Sequence, residues 1–319
     1  MCLILAAWGI HPGHPLVVAA NRDEFFARPT AVAGFWADAP FLCAGRDLEA
    51  GGTWMGVTRT GRFAALTNYR DPAQMRPAAP SRGRLVADFL AGSEAPASYL
   101  ARTAEYGRSC NGYNLLVGDG RELWWSSNMG GAARRLEPGV YGLSNHLLDT
   151  PWPKVGAGKT ALAQSLALLP DERPLFNLLR DDGIHPDDAL PSTGVPLEWE
   201  RLLSSAFVRS PEYGTRSSTV LRVGLDGWVT FDEQTWLPGA ARVRWLVSGS
   251  IGLDTLVQQH AMADTINTLR QVTLPPFSEP EVIAMLDRLG GVPISLNGTT
   301  VKGIFRTHDA DLLNGEASI

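Results

Sequence analysis

Two short apolar runs open the chain, over 3–8 and 16–20, and His11-Pro12-Gly13-His14-Pro15 separates them. Proline cannot donate to a strand ladder and glycine weakens one, so this pattern predicts a β-hairpin turning at 11–15. Further hairpins are predicted over 53–58 and 62–68 around Arg59-Thr60-Gly61, over 113–118 and 122–126 around Asp119-Gly120-Arg121, and over 217–223 and 228–232 around Asp226-Gly227. The run Leu115-Leu116-Val117 has no polar alternation, as expected of a strand buried on both faces. Helical spacing appears between the hairpins. Ser81 stands where it can cap a helix carrying Leu85, Val86, Phe89 and Leu90, with Gly92 to stop it. A second helix, rich in Ala and Leu, is predicted over 154–169. Sheets covered by helices in a layered arrangement follow from this alternation.

The texture changes after Pro238-Gly239. Helices are predicted over 253–269 and 279–289, with Pro275-Pro276 between them, and a last hairpin over 292–306 turns at Asn297-Gly298. The expected organisation is a main domain over 1–239 and a C-terminal extension over 240–319.

Composition narrows the function classes. At 319 residues, 45% hydrophobic and 19% charged, the chain is globular and long enough for a substantial core. A formal charge of -5 with scattered arginines gives no basic stripe, which argues against a nucleic-acid partner. Three cysteines without a Cys-x-x-Cys pair point to a reducing compartment and no structural zinc. The start lacks a basic segment ahead of its apolar run, and no run approaches the ~20 apolar residues of a membrane helix, so the expectation is a cytoplasmic protein without a membrane span.

The candidate chemistry begins at Cys2. Methionine aminopeptidase removes Met1 before small residues, which would leave Cys2 with a thiol and a free α-amine. That pair is a nucleophile with its own base, since the amine titrates at about 7.7–8.0. The plain alternative is a small buried cysteine at a strand start. Asn21-Arg22-Asp23-Glu24 ends the second run, and the 11–15 turn would bring it back beside Cys2. Its alternative is a solvated loop with a surface ion pair. Gly156-Ala157-Gly158-Lys159-Thr160 imitates a phosphate-binding loop, but Pro153 stands where the first glycine is required, so nucleotide hydrolysis is rejected. His11 and His14 have metal-like spacing, yet two ligands do not close a site, and no metal is expected.

The start Met1-Cys2-Leu3-Ile4, the Asn21–Glu24 quartet, Gly51-Gly52-Thr53-Trp54-Met55-Gly56-Val57, Phe63-Ala64-Ala65-Leu66-Thr67-Asn68-Tyr69-Arg70, Ser81-Arg82-Gly83, Leu143-Ser144-Asn145-His146-Leu147-Leu148-Asp149-Thr150-Pro151-Trp152-Pro153-Lys154 and Tyr213-Gly214-Thr215-Arg216-Ser217-Ser218-Thr219-Val220 together resemble the NRDE family, also called the transport and Golgi organisation family. More distantly the pattern is similar to penicillin V acylase and bile salt hydrolase. This resemblance implies an α+β, four-layer αββα N-terminal-nucleophile hydrolase fold with two stacked antiparallel sheets. It implies a Cys2-dependent hydrolase of a linear amide or acyl bond, with Asp23 and Arg216 holding the amine and thiolate, Asn68 and neighbouring backbone amides at the oxyanion, and Asn145 as a second asparagine of the site. One position departs, for the acylases carry Arg where this chain has Ala20. The resemblance equally implies a binding or trafficking protein for haem, acyl-coenzyme A or lipid. Haem would be a carried ligand with His146 as axial candidate. Arg22, Arg70 and Arg82 would meet phosphates. Asn21, Glu24 and Trp54 complete the expected ligand contacts.

Overall fold

The computed structural model of the chain describes residues 2–236 in full, with the strand backbones of 242–250, 294–296 and 299–301. Strands β1 (Cys2–Trp8) and β2 (Leu16–Phe25) pair antiparallel about the expected turn, with Trp8 opposite Leu16 and Cys2 opposite Arg22. They lie inside a six-stranded antiparallel sheet ordered β10 (Gly139–Leu143), β1, β2, β11 (Tyr213–Val223), β12 (Trp228–Trp236), β13 (Arg242–Ser250). A second, seven-stranded antiparallel sheet runs in chain order through β3 (Thr30–Trp36), β4 (Ala39–Asp47), β5 (Met55–Thr58), β6 (Phe63–Asn68), β7 (Tyr113–Gly118), β8 (Leu123–Ser127) and β9 (Arg134–Arg135). The helices are α1 (Gly83–Ala91), α2 (Pro96–Ser109), α3 (Pro153–Leu166), α4 (Arg173–Leu179) and α5 (Leu197–Leu202).

The apolar runs are continuous because both faces of their strands are covered. Ile4, Ala6, Val18 and Ala20 point between the sheets, where they join Met55, Phe63, Ala65 and Phe231. Their neighbours Leu3, Leu5, Val17 and Ala19 point the other way, against Val155 and Leu162 of α3 and Leu175 and Phe176 of α4. On the outer face of the second sheet, Ala64, Leu115 and Val117 pack against Leu85, Val86, Phe89 and Tyr99 of α1 and α2. Two antiparallel sheets therefore lie face to face between helical layers, the αββα order expected. A fully buried leucine such as Leu3 or Leu5 contributes about 1.5–3 kcal/mol through burial alone.

Two local expectations shift. The N-cap of α1 is Arg82 rather than Ser81, and no side chain caps the helix, although it stops at Gly92 as expected. The chain divides into compact units Met1–Ile251 and Gly252–Ile319, beyond the boundary expected at 239/240. The reason is β13, which pairs along β12 from Trp236 opposite Arg242 to Trp228 opposite Ser250 and so completes the first unit's sheet. The helices expected over 253–269 and 279–289 lie outside the described residues. In the second unit β14 (Ile294–Leu296) and β15 (Thr299–Val301) pair antiparallel on either side of Asn297-Gly298. Among the described residues no helix is long and apolar enough to cross a membrane.

Candidate active site

The alternation that builds the core also places the chemistry. Cys2 and Arg22 continue the inward face set by Ile4 and Ala20, and they sit opposite one another, Cys2 at the first position of β1. There the apolar filling gives way to a cleft of about 370 Å³. Cys2, Arg22, Asp23 and Glu24 line it from the first sheet, and Trp54, Leu66 and Asn68 from the second. Ser81, Arg82 and Gly83 close one side of it at the start of α1, and Arg216 and Ser217 come from β11. That volume suits a small-molecule ligand.

A bulge sets the position of Arg216. On β11, Thr215 pairs with Asp23 and Ser217 pairs with Arg22, so Arg216 is the extra residue with no partner on β2. Its guanidinium swings to the carbonyls of Phe25 (2.9 Å) and Arg28 (3.0 Å) at the cleft edge. The bulge lets Thr215 reach Asp23, donating to Oδ1 at 2.7 Å, while Ser217 stays in the cleft.

Burial pushes the Cys2 thiol up from its ordinary value, and the Asp23 carboxylate adds to the rise. The Arg22 charge and the backbone N–H of Asp23 work in the opposite direction and favour the thiolate. Burial also raises Asp23, against the charge of Lys154, the Thr215 hydroxyl and Arg22. Lys154, in the first turn of α3, is 3% exposed and donates to the carbonyls of Leu203 (2.8 Å) and Ser205 (3.4 Å). Burial pulls it down to about 8, with Asp23 the leading opposing charge. Cys43, wholly buried elsewhere, is pushed up to about 12.

Asn68 and Asn145 come together, but only Asn68 lines the cleft. Asn145, fully buried, donates to the Asn68 carbonyl at 2.9 Å, and Ser144 donates to the Cys2 carbonyl at 3.0 Å. The Leu143–Lys154 motif thus braces the strand ends that carry Cys2 and Asn68. Asp149, in the left-handed region with φ 60, accepts from the Gly142 N–H (2.8 Å) and from Lys159 (2.7 Å), which occupies the lysine of the phosphate-loop imitation. His11 accepts the N–H groups of Gly13 and His14 at 3.1 Å, a turn-closing role. Among the described residues no group of three or more His, Cys, Asp and Glu could hold a metal ion.

Three expected ligand contacts stand away from the cleft lining. Asn21 points to the helical side and donates to the carbonyls of Leu179 (2.7 Å) and Ala206 (2.8 Å), while its Oδ1 accepts from Ser218 (2.6 Å). Arg70 is buried in an ion pair with Glu200 and lies over the Trp152 ring. His146 bonds Thr150 through Nδ1 at 2.8 Å and packs between Tyr69 and Trp152. Among the described residues lining the cleft there is no histidine to ligate haem.

Other cleft residues carried no motif. Glu233 is a buried carboxylate that accepts from the Ala33 N–H at 2.9 Å, and burial raises its pKa. Its signal was available, because it follows the inward positions Val229 and Phe231 on alternating β12 and breaks an apolar face. Arg28 also lines the cleft, paired with Asp47 at 2.8 Å and Glu49 at 3.3 Å.

Residues 1–238 match the family model described as transport and Golgi organisation 2. The chain is 38% identical over 269 residues to a transport and Golgi organization protein 2 homolog of Bos taurus, covering 77% of this chain and 96% of that protein. The Homo sapiens homolog is 36% identical over 259 residues, with 74% and 94% covered. Similar solved structures include a Caenorhabditis elegans N-acylethanolamine-hydrolyzing acid amidase ortholog, with TM-score 0.40, 15% identity, and 69% of this chain and 92% of that one covered. Another is a C2A mutant of the conjugated bile acid hydrolase from Clostridium perfringens, with TM-score 0.38, 11% identity, and 79% and 93% covered.

Proposed function

The chain belongs to the transport and Golgi organisation 2 family, and from that premise we propose that it is a hydrolase of linear amide or acyl bonds with Cys2 as its nucleophile. The observation that carries this reading is the placement of Cys2. It sits at the first position of β1 and in the lining of the cleft, opposite Arg22 and beside the Asp23 N–H, while the other cysteines, Cys43 and Cys110, do not line the cleft. Removal of Met1 would put the Cys2 amine at the same spot, and the buried Asp23 carboxylate would hold it.

The chemistry then runs in two halves. The Cys2 sulfur adds to the substrate carbonyl carbon while the Cys2 amine accepts the thiol proton. The oxygen takes the negative charge, met by the Asn68 side chain at the cleft edge, a role worth a few kcal/mol in acyl transfer. The proton passes to the leaving nitrogen or oxygen as its bond to carbon breaks, leaving a thioester on Cys2. Water, deprotonated by the same amine, adds to the thioester and releases the acid and the thiol. Asn145 and Ser144 act through position, holding the Asn68 and Cys2 backbones.

Intact mass before and after a thiol-reactive acyl probe tests this, with Cys2→Ala as control. The expected result is loss of Met1 and rapid labelling confined to Cys2. A retained Met1, or labelling of Cys2 no faster than of Cys43 and Cys110, would sink the reading.

A further inference from the structure

The pairing that carries Cys2 continues across the first sheet. Cys2 is opposite Arg22, Arg22 is opposite Ser217, and Ser217 is opposite Thr235. Residues paired in this way share a face, so the four side chains form one inward row over β1, β2, β11 and β12, and all four line the cleft. The neighbouring inward row is Ile4, Ala20, Thr219 and Glu233, apolar at the β1 end and polar at the β12 end. Three strand spacings separate Cys2 from Thr235, about 14 Å. The second sheet meets this far end through β3, where the Ala33 N–H donates to Glu233 Oε1 at 2.9 Å.

The polar groups at that end are incompletely used. Thr235 Oγ1 is buried and has no hydrogen-bond partner among the described residues. Glu233, two positions away on the same face of β12, takes the Ala33 N–H, the Thr219 hydroxyl at a long 3.4 Å, and the Ser217 hydroxyl. A carboxylate offers about four acceptor sites, so one stays open. An apolar ligand end placed here would leave a buried hydroxyl and a buried carboxylate unmet, which is costly. A charged end gains no counter-ion, because the described lining holds five arginines and five carboxylates. A neutral group that both donates and accepts, a hydroxyl or an amide, completes Glu233 and Thr235 together.

We propose that the substrate lies across the strands of the first sheet, with its reacting carbonyl at Cys2 and, about 14 Å away, a neutral hydroxyl or amide group bonded by Glu233 and Thr235. This rests on the Cys2 reading for the reacting end, but the far end is testable without turnover. Chloroacetamides of straight-chain amines alkylate a thiolate, which displaces chloride and forms a thioether. Two lengths are used, one spanning the row to Thr235 and one a third as long, each tipped with methyl, hydroxyl or ammonium. Rates at Cys2 are followed by peptide mass on the full chain and divided by those of a free cysteine derivative. The hydroxyl-to-methyl ratio should be about tenfold higher for the long chain than for the short one. Thr235→Val removes a hydroxyl that no described residue uses, so the fold stands, and the long-chain ratio should fall to the short-chain value. A wild-type ratio that does not depend on length, or one that survives in Thr235→Val, overturns the proposal while leaving Cys2 a nucleophile. Faster labelling by the long ammonium tip than by the long hydroxyl tip overturns it too. If no probe labels Cys2, the nucleophile reading fails, and the same long chains as acetamides, which have no leaving group, are titrated calorimetrically. Hydroxyl-tipped binding about tenfold tighter than methyl-tipped, and lost in Thr235→Val, upholds the far-end site. Equal or weaker binding overturns it.

Discussion

Asn21→Asp separates a structural role from a ligand contact at the first residue of the polar quartet. The change is nearly isosteric, and Asn21 is fully buried. Its Nδ2 now donates to two carbonyls at 2.7 and 2.8 Å, and its Oδ1 accepts from Ser218. A carboxylate keeps the Ser218 bond but turns an acceptor towards both carbonyls. Two neutral hydrogen bonds are lost, at about 0.5–1.5 kcal/mol each, and oxygens are set against oxygens in a buried site. A loss of about 3–5 kcal/mol at pH 7 follows, in the range of a broken buried network. The pH dependence carries the signature. Once protonated, the introduced carboxyl can donate to one carbonyl again, so the folded state raises the pKa of this group above about 3.9. The folded state then holds more protons than the unfolded state between those values, and stability falls as pH rises through that window. Urea denaturation of the wild type and the variant from pH 4 to pH 8 measures the difference, which should shrink towards the acid end. Equal stability at pH 7, or a gap independent of pH, would refute the structural role and return Asn21 to the ligand contacts.

Two further outcomes follow from close packing and from buried charge. Gly52→Ala places a methyl 2.6–2.8 Å from the Gly83 carbonyl, against backbone that cannot rotate aside, and should cost about 1–3 kcal/mol in denaturant melts. Lys154 has a folded-state pKa of about 8 against an ordinary 10.5, so the unfolded state holds more protons between those values and stability rises with pH across that window. Denaturation at pH 7.5 and pH 10 should show that rise in the wild type and lose it in Lys154→Met.

The legible part of this protein was local. The turns at 11–15, 59–61, 119–121 and 226–227 announced their hairpins through glycine and proline, and unbroken apolar runs announced strands covered on both faces. Cys2 and Arg22 could be brought together from the turn alone. Long-range partners could not be read. Arg70 looked like a cation for a ligand, but Glu200, far along the chain, takes its charge. Asn21 and Arg22 are adjacent in the motif and belong to opposite faces of one strand, a difference that period-two geometry predicts only once the buried faces are known. The bulge at Arg216 leaves no compositional mark, and Ser81 lost its capping role to a helix start held by backbone contact with Gly52 and Thr53.

That bulge also constrains how the protein can change length over generations. Residues before Arg216 keep step with β2 in one phase and residues after it in the other, so β11 is read in two frames joined at a single position. Deleting 216 itself would leave Thr215 opposite Asp23 and Ser217 opposite Arg22 in regular alternation and remove only the displaced guanidinium, whereas inserting a residue elsewhere in β11 would exchange the faces of the residues it shifts. Change at 216, a gap included, is a local event, whereas an added residue elsewhere in the strand is a frameshift in space. Length variation among viable descendants should therefore gather in the turns and, within 213–223, at the bulge alone.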